Sequence, residues 1–148
     1  MRLLIQRVTH ASVTINGGEK HSIGPGAVIL LGIKADDTTE TVKRMAEKLL
    51  TLRFCEDAEG KTNLSLMDTK GDLLVISQFT LYANCGGGRR PSFIDAARPE
   101  TAIPLYEAFV EEVRKSGLKV ETGEFGSDML VDIANDGPFT IWLDSEEM

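Results

Sequence analysis

The segment Leu73–Tyr82 constrains the fold more than any other part of the chain. It begins with four apolar residues, two of them β-branched, which is typical of a strand buried on both faces. Polar residues then interrupt the run, and strand alternation places Gln78 and Thr80 on one face, with Ser77 and Phe79 on the other. An unsatisfied buried polar group costs about 1–3 kcal/mol. The segment therefore predicts a core strand whose polar end is satisfied by neighbouring backbone or by a polar ligand.

The composition indicates one globular domain that covers residues 1–148, because 42% of the residues are hydrophobic and 26% are charged. No apolar run approaches the roughly 20 residues needed to span a bilayer, and the N-terminus lacks a signal-peptide core, so we expect a cytoplasmic protein without a membrane partner. The net charge of −7 argues against a long nucleic-acid footprint, and hence against DNA. A local basic patch could still bind one end of an RNA.

Periodicity predicts an α+β fold, in which two main helices pack on a mostly antiparallel sheet. Asp37–Glu40 resembles a capping box, and the apolar stripe that follows it predicts the first helix. The second helix is expected to start at Ala102 or Pro104 and to end at Ser116. Strands are expected at 2–8, 11–16, 19–23, 27–33, 53–55, 73–82, 119–122, 129–134 and 139–143, with a tight turn at 135–138.

The residue inventory contains no familiar catalytic or metal-binding set. His10 and His21 are the only histidines, and neither has a neighbouring ligand at metal spacing, so no metal and no cofactor are expected. A glycine loop at 83–93 ends in Arg89 and Arg90, which either contact phosphates or are simply solvated. Cys85 in this loop has no Cys-x-x-Cys partner and is expected to be a free thiol. Residue chemistry alone thus stops at a soluble ligand-binding domain.

Four ordered motifs make the chain similar to the D-aminoacyl-tRNA deacylase family. They are Ser77-Gln78-Phe79-Thr80-Leu81, Arg90-Pro91-Ser92-Phe93, Glu124-Phe125-Gly126 with Met129, and Asn135-Asp136-Gly137-Pro138-Phe139-Thr140. The resemblance spans the whole chain, including Arg7-Val8 near the start. The chain departs from the family at three positions: Gly88 stands where lysine is common, Ser127 where alanine is usual, and Phe139 where valine is usual.

The resemblance implies a homodimeric enzyme that hydrolyses the ester between a D-amino acid and the 3′-terminal adenosine of tRNA, and that also clears mischarged glycine. It implies that Gly137-Pro138 is a cis peptide that enters the partner's active site and rejects L-amino acids, braced by Arg7. The expected site residues are, for catalysis, Ser77, Gln78, Phe79 and Thr80; for adenosine, Phe125, Gly126, Met129 and Ala102; and for phosphate, Arg89 and Arg90.

The chemistry expected at this site is substrate-assisted. A threonine hydroxyl is a weak nucleophile without a nearby base, and neither histidine is placed to serve Thr80. The 2′-hydroxyl beside the ester is therefore expected to position or activate water, while the protein supplies oxyanion donors. Two alternatives stay open: a module that binds a small amino-acid-like ligand without hydrolysis, and a thiol-dependent hydrolase or redox sensor built on Cys85.

Overall fold

The strand predicted at residues 73–82 lies in the sheet between two parallel neighbours. In the computed structural model, which describes all of residues 1–148, this strand is β6 in a six-stranded sheet of order β2-β1-β3-β6-β7, and β8 also pairs with β1. A separate two-stranded sheet joins β4 to β5. The strands are β1 (Arg2–Ile15), β2 (Lys20–Ile23), β3 (Gly26–Gly32), β4 (Cys55–Glu56), β5 (Thr62–Leu64), β6 (Asp72–Ser77), β7 (Val120–Thr122) and β8 (Met129–Asp144).

The sheet is mixed, so the expectation of a mostly antiparallel sheet was wrong. β1 pairs antiparallel with β2, β3 and β8, whereas β6 runs parallel to both β3 and β7. The reason is that the chain between β3 and β6 contains two helices and the chain between β6 and β7 contains a third. A helical crossover returns the chain to the sheet in the same direction. The sequence pattern had shown the strands and helices but not which strands would pair.

Two long helices and one short helix accompany the sheet: α1 (Thr39–Thr51), α2 (Leu66–Thr69) and α3 (Pro99–Arg114). The capping box of α1 is formed by Thr38 with Thr41, one residue later than predicted. α3 begins at Pro99 rather than at Ala102 or Pro104, because a proline is well suited to the first helical position. Pro104 lies within α3.

Two predictions of secondary structure are wrong, one at residues 78–82 and the other at residues 135–138. β6 ends at Ser77, and Phe79–Tyr82 forms a 3-10 turn, so the strand alternation expected for Gln78 and Thr80 does not apply. At the other site, β8 continues through residues 135–138 instead of breaking there. The register explains how: Gln6 pairs with Thr140 and Val8 with Asn135, so residues 136–139 bulge outward opposite a single residue of β1.

The core is divided by the sheet into two clusters. Alternate residues of β3 and β6, such as Ile29 and Val75, pack against α1 and α3 in the larger cluster. The residues between them, such as Val28 and Leu74, pack in the smaller cluster against the C-terminal half of β1 and the N-terminal half of β8. β6 is therefore buried on both faces, as the apolar start of the segment predicted. No helix has the length and apolar character that a bilayer crossing requires.

Replacing Phe109 by alanine should lower the free energy of unfolding by about 3–5 kcal/mol, because its ring is fully buried between α3 and the sheet. Urea denaturation measures this change. Ile103→Ala on the same helix is the matched control, since Ile103 is 37% exposed, and it should cost less than about 1 kcal/mol. Equal losses for the two variants would contradict the burial of Phe109 in the core.

Candidate active site

The cavity that holds most of the predicted site residues, which we call the main cavity for that reason, lies beside the end of β6 and has a volume of about 390 Å³. It brings together residues from β6, the 3-10 turn, the start of α3 and the loop before β8. Among its lining residues are Ser77, Gln78, Phe79, Ala102, Phe125, Gly126 and Met129. Seven of the eight residues expected for catalysis and for adenosine are therefore neighbours, although they come from three distant parts of the sequence.

The apolar side of the main cavity is built around Phe125 and Met129. The Phe125 ring packs against Tyr106 of α3, with ring centroids 5.9 Å apart. Met129 lies over Gly123, where a Cβ would fall 2.2 Å from its sulfur, so a larger residue at 123 would displace the thioether. These contacts hold an aromatic ring and a flexible thioether at one cavity wall, an arrangement suited to a flat apolar ligand such as a nucleobase.

Tyr106 packs against the Phe125 ring on the side away from the cavity. The sequence pattern had predicted only that Tyr106 belongs to the apolar stripe of its helix. Its hydroxyl donates a hydrogen bond to the backbone oxygen of Val75, at 2.9 Å, so one buried side chain contacts both Phe125 and β6. Burial raises the pKa of Tyr106 to about 12, and the phenol therefore stays protonated and able to donate at neutral pH. Nothing in the helical periodicity distinguishes this tyrosine from the other residues of the stripe.

The polar side of the main cavity is formed where β6 passes into the 3-10 turn. Ser77 and Gln78 line the cavity, and the Gln78 side-chain amide donates to the Thr80 hydroxyl. Thr80 itself is exposed, and of the four residues expected for catalysis it is the one that does not line the main cavity. The backbone N–H groups of Phe79 and Thr80 begin the turn, where no intrahelical acceptor is within reach.

Gly137 and Pro138 lie in the bulge of β8 and do not line the main cavity of their own chain. The peptide bond between them is cis, as the motif resemblance implied. Both residues are exposed, and Gly137 has a φ of +131°, which side-chain-bearing residues rarely adopt. A Cβ on Gly137 would lie 3.0 Å from the Phe139 nitrogen and 3.1 Å from Nη2 of Arg7. Glycine is therefore required by both conformation and space.

Arg7 holds the bulge from inside the protein. Its guanidinium is buried and donates to the backbone oxygens of Asp136, at 3.1 Å, and Phe54, at 2.9 Å. The same group lies 4.6 Å from the centroid of the Phe139 ring, a cation–π contact. Asn135 closes the base of the bulge, because its amide nitrogen donates to the backbone oxygens of Arg7 and Phe139.

The glycine loop carries Arg89 and Arg90 away from the main cavity. Both arginines are exposed and form no ion pair with an acidic side chain. Cys85 is exposed and lies outside the main cavity, whereas Cys55 is buried, and burial raises the pKa of its thiol. No cluster of three or more histidine, cysteine or carboxylate side chains is arranged to hold a metal ion.

Comparison with known proteins identifies the family. The family model described as D-Tyr-tRNA(Tyr) deacylase matches residues 4–144. The chain belongs to this family. The D-aminoacyl-tRNA deacylase of Lactobacillus helveticus is 54% identical over 97% of this chain and 99% of its own length. The D-aminoacyl-tRNA deacylase of Geobacillus sp. strain WCH70 is 48% identical over 99% of this chain and 97% of its own.

Solved structures agree with the family. A protein described as c-Myc DNA Unwinding Element Binding Protein superimposes with a TM-score of 0.90 at 43% identity, covering 97% of this chain and 98% of the other. A probable eukaryotic D-amino acid tRNA deacylase superimposes with a TM-score of 0.87, covering 96% and 97%, and its 19% identity supports the fold alone. The family and the hydrolase class predicted from the motifs are confirmed.

Two of the three departures from the deacylase motifs have local partners in this chain. Phe139 supplies the ring against which Arg7 packs, so a larger residue than valine adds a contact to the bulge. Ser127 donates a hydrogen bond to the Glu124 carboxylate and thereby closes the loop that carries Phe125 and Gly126. Gly88 has a φ of +76° at the exposed tip of the glycine loop, which is a conformation that favours glycine.

Replacing Arg7 by lysine should lower the free energy of unfolding by about 1.5–3 kcal/mol, because one ammonium group cannot reach the separate acceptors that the guanidinium joins. Urea denaturation gives the loss, and hydrogen exchange at the backbone amides of Asp136, Gly137 and Phe139 should become faster. Arg53→Lys is the matched control, since exposed Arg53 bonds only to Asn63, and its effect should stay within about 0.5 kcal/mol. Unchanged exchange in the bulge would refute the bracing role of Arg7.

Proposed function

We propose that this chain hydrolyses the ester of D-aminoacyl-tRNA, and of mischarged glycyl-tRNA, and rejects the L-aminoacyl ester. The observation that carries the proposal is the main cavity, which joins an aromatic and thioether wall to the polar end of β6 in a chain of the deacylase family. Such a cavity suits a ligand that is a nucleobase at one end and a polar acyl ester at the other. Because charged tRNA is found in the cytoplasm, the chain would act there.

The terminal adenosine is proposed to occupy the apolar side of the main cavity. Its base would stack on Phe125 and contact Met129, and Ala102 and Gly126 would leave room for it because their side chains are small or absent. Stacking of a base on an aromatic side chain contributes about 1–3 kcal/mol. This side of the cavity supplies affinity for any tRNA, since adenosine is the common 3′ end.

The acyl ester is proposed to lie at the polar side, next to Ser77, Gln78 and the start of the 3-10 turn. Amides of Phe79 and Thr80, together with the polar side chains, would stabilise the negative charge that develops on the carbonyl oxygen. The substrate's own 2′-hydroxyl would orient the attacking water. Water then adds to the ester carbonyl, and the adenosine 3′-oxygen leaves with a proton, so that free amino acid and tRNA are released without a covalent enzyme intermediate.

Chiral selection is proposed to come from Gly137-Pro138 of a second subunit. These residues are exposed and do not line the main cavity of their own chain, so a second chain would bring them to the ester. The Arg7 and Asn135 contacts hold the bulge in place, which is what a rigid selectivity element requires. Backbone oxygens of the bulge would bind the α-amino group and leave no room for an L side chain.

Arg89 and Arg90 are proposed to contact phosphates of the acceptor end. Both are exposed and free of acidic partners, so neither must break an ion pair to meet RNA. The net charge of −7 limits the footprint to a short segment. For the same reason we do not extend to this chain the DNA binding in the name of one structural relative.

Matched D- and L-aminoacyl-tRNA esters test the proposed function. The purified chain should cleave the D-ester at least about 100-fold faster than the L-ester, and acid gels that separate charged from uncharged tRNA measure this ratio. An intact D-ester that nevertheless binds the protein would establish the alternative binding module. Cys85→Ser should keep full activity. Loss of activity in this variant would instead support a thiol-dependent hydrolase built on Cys85.

Thr80→Ala should reduce kcat only about fivefold, the effect of one lost positioning hydrogen bond. A D-aminoacyl ester on 2′-deoxyadenosine-terminated tRNA should instead react at least about 100-fold more slowly, although it still binds, because the group that orients the water is absent. Single-turnover hydrolysis measures both effects. An acyl group trapped on Thr80, or a deoxy substrate cleaved at the normal rate, would overturn the mechanism.

Hybrid dimers test the shared site. A Phe125→Ala, Met129→Ala chain loses the adenosine wall, and a Gly137→Ala chain displaces the bulge because of the positive φ and the close contacts at that position. Each variant alone should be nearly inactive, whereas their mixture should regain up to about a quarter of wild-type activity through dimers with one intact site. Sedimentation that shows an active monomer at the assay concentration would contradict cross-subunit selection.

A further inference from the structure

Two edge strands of the sheet come together, and a histidine side chain forms the hydrogen bond between them. β2 and β7 stand at opposite ends of the strand order, yet the sheet curls so that β2 contacts β7. No backbone hydrogen bonds pair these two strands. Instead, Nδ1 of His21 in β2 contacts the backbone oxygen of Thr122, the last residue of β7. A side chain thus joins two edges that the backbone leaves unpaired.

Both ring nitrogens of His21 face acceptors. Nδ1 contacts the Thr122 backbone oxygen, and Nε2 lies 2.9 Å from a carboxylate oxygen of Glu19. A carbonyl oxygen and an ionised carboxylate have no proton to donate, and a neutral imidazole carries one N–H, so only the imidazolium can donate to both. We call this pair of contacts the His21 bridge. It is complete only when His21 is protonated.

The charged groups around His21 favour the imidazolium. Glu19 bonds to the ring, and Glu121 of β7 adds a second negative charge nearby. The partner of His21 on β1 is an uncharged valine, and alternation along β2 directs Lys20 to the opposite face. On β6, which also contacts β2, the Asp72 carboxylate accepts from a backbone N–H of the turn after β2. The net field at the ring is therefore negative.

The His21 bridge depends on pH. The hydrogen bond to Thr122, and after it the bond to Glu19, raises the pKa of His21 above its ordinary value of about 6.5. A group with a raised pKa in the folded protein contributes its full stabilisation below the unfolded value, here about pH 6.5. The contribution is lost as the pH rises through the raised pKa of His21. Above it, the neutral ring keeps at most one of its two bonds, without the added strength of the charge.

Thr122 leads directly into the apolar wall of the main cavity. Gly123 follows it, and the Met129 sulfur occupies the space that a Cβ there would take, so the position of Met129 depends on that of Gly123. Two residues further along, Phe125 supplies the ring of the same wall. A displacement at the end of β7 would therefore move the side chains proposed to hold the adenosine base. His21 does not line the cavity and can act on it only through this segment.

We propose that His21 is a positioning residue, whose imidazolium fixes the end of β7 and thereby increases the affinity of the main cavity for adenosine. The inference rests on the proposed function, which assigns adenosine to that wall. Adenosine then binds more tightly when His21 is protonated, and by linkage adenosine favours the protonated form to the same extent. We expect a coupling of about threefold, which the replacement of a charged hydrogen-bond donor by a neutral one can supply.

An NMR titration of the two histidines with and without saturating adenosine tests the inference. Adenosine is the probe because it carries no amino-acid group and its base does not titrate in the range of about pH 5.5–8.5, where histidine does. Adenosine should raise the pKa of His21 by about 0.5, which corresponds to the threefold coupling. His10, the other histidine, is the internal control, and its titration curve should be the same in both samples. An unchanged His21 curve with adenosine bound would overturn the inference.

His21→Gln separates positioning from folding, because the amide keeps a donor but cannot take up a proton. Relative to wild type, its KM for D-aminoacyl-tRNA should be raised about threefold at about pH 6 and should be equal at about pH 8.5, with kcat within about twofold. Titration of the substrate cancels in this ratio of KM values. His10→Gln is the matched control and should keep the wild-type KM at both pH values.

Glu19→Gln provides a second measurement of the same bridge. It removes the negative charge beside His21 but keeps an oxygen that can accept from Nε2. The KM at low pH should therefore stay within about twofold of wild type, whereas the midpoint of the pH dependence should move to lower pH. A midpoint that does not move would show that the titrating group is not His21 and would contradict the inference.

The outcomes separate this inference from the proposed function. If D-aminoacyl-tRNA is cleaved but the KM ratio of His21→Gln to wild type is the same at both pH values, His21 has only a structural role and the proposed hydrolysis stands. If the D-ester is not cleaved or adenosine does not bind, the proposed function or its adenosine site fails, and the inference falls with it. A His21 pKa that rises with adenosine, together with a pH-dependent KM ratio, establishes the positioning role.

Discussion

The burial of β6 on both faces is the constraint on which the rest of the structure depends. Its apolar residues lie between two cores, and both of its sheet neighbours run parallel to it. A strand in this position has no solvent-facing side along its length, so its polar residues can meet a ligand only after the strand ends. Ser77 and Gln78 occupy that end, and the main cavity opens there. Ligand sites beyond the carboxyl ends of parallel strands follow the same geometry in open α/β sheets.

The second constraint acts across the β1–β8 pair. Four residues of β8 must bulge opposite one residue of β1, and such a loop would be mobile if nothing filled its base. Arg7 and Asn135 fill it with side-chain hydrogen bonds to backbone oxygens, and the Phe139 ring covers the guanidinium. A buried, multiply bonded arginine gives the exposed Gly137-Pro138 element a fixed position. This rigidity is what the proposed chiral selection needs from it.

The main cavity can be understood from the 3-10 turn that replaces the predicted end of the strand. Phe79 of the turn lines the main cavity, and the side chain of Gln78, just before the turn, donates to the Thr80 hydroxyl. An extended strand would have sent alternate residues to opposite faces of the sheet, and both faces here are occupied by core. The turn therefore places Phe79 next to Ser77 and Gln78 at the polar side of the main cavity.

The sequence by itself determined the family, the two long helices, the central buried strand and the residues that meet in the main cavity. These features depend on local periodicity and on ordered motifs, which a single chain displays directly. Tertiary structure alone decided the parallel pairing of β6, the bulge at 136–139, and the contacts of Tyr106 and Asn135. The physical reason is that strand pairing and hydrogen bonding join residues distant in the sequence, so the periodicity of one segment cannot reveal the partner that another segment supplies.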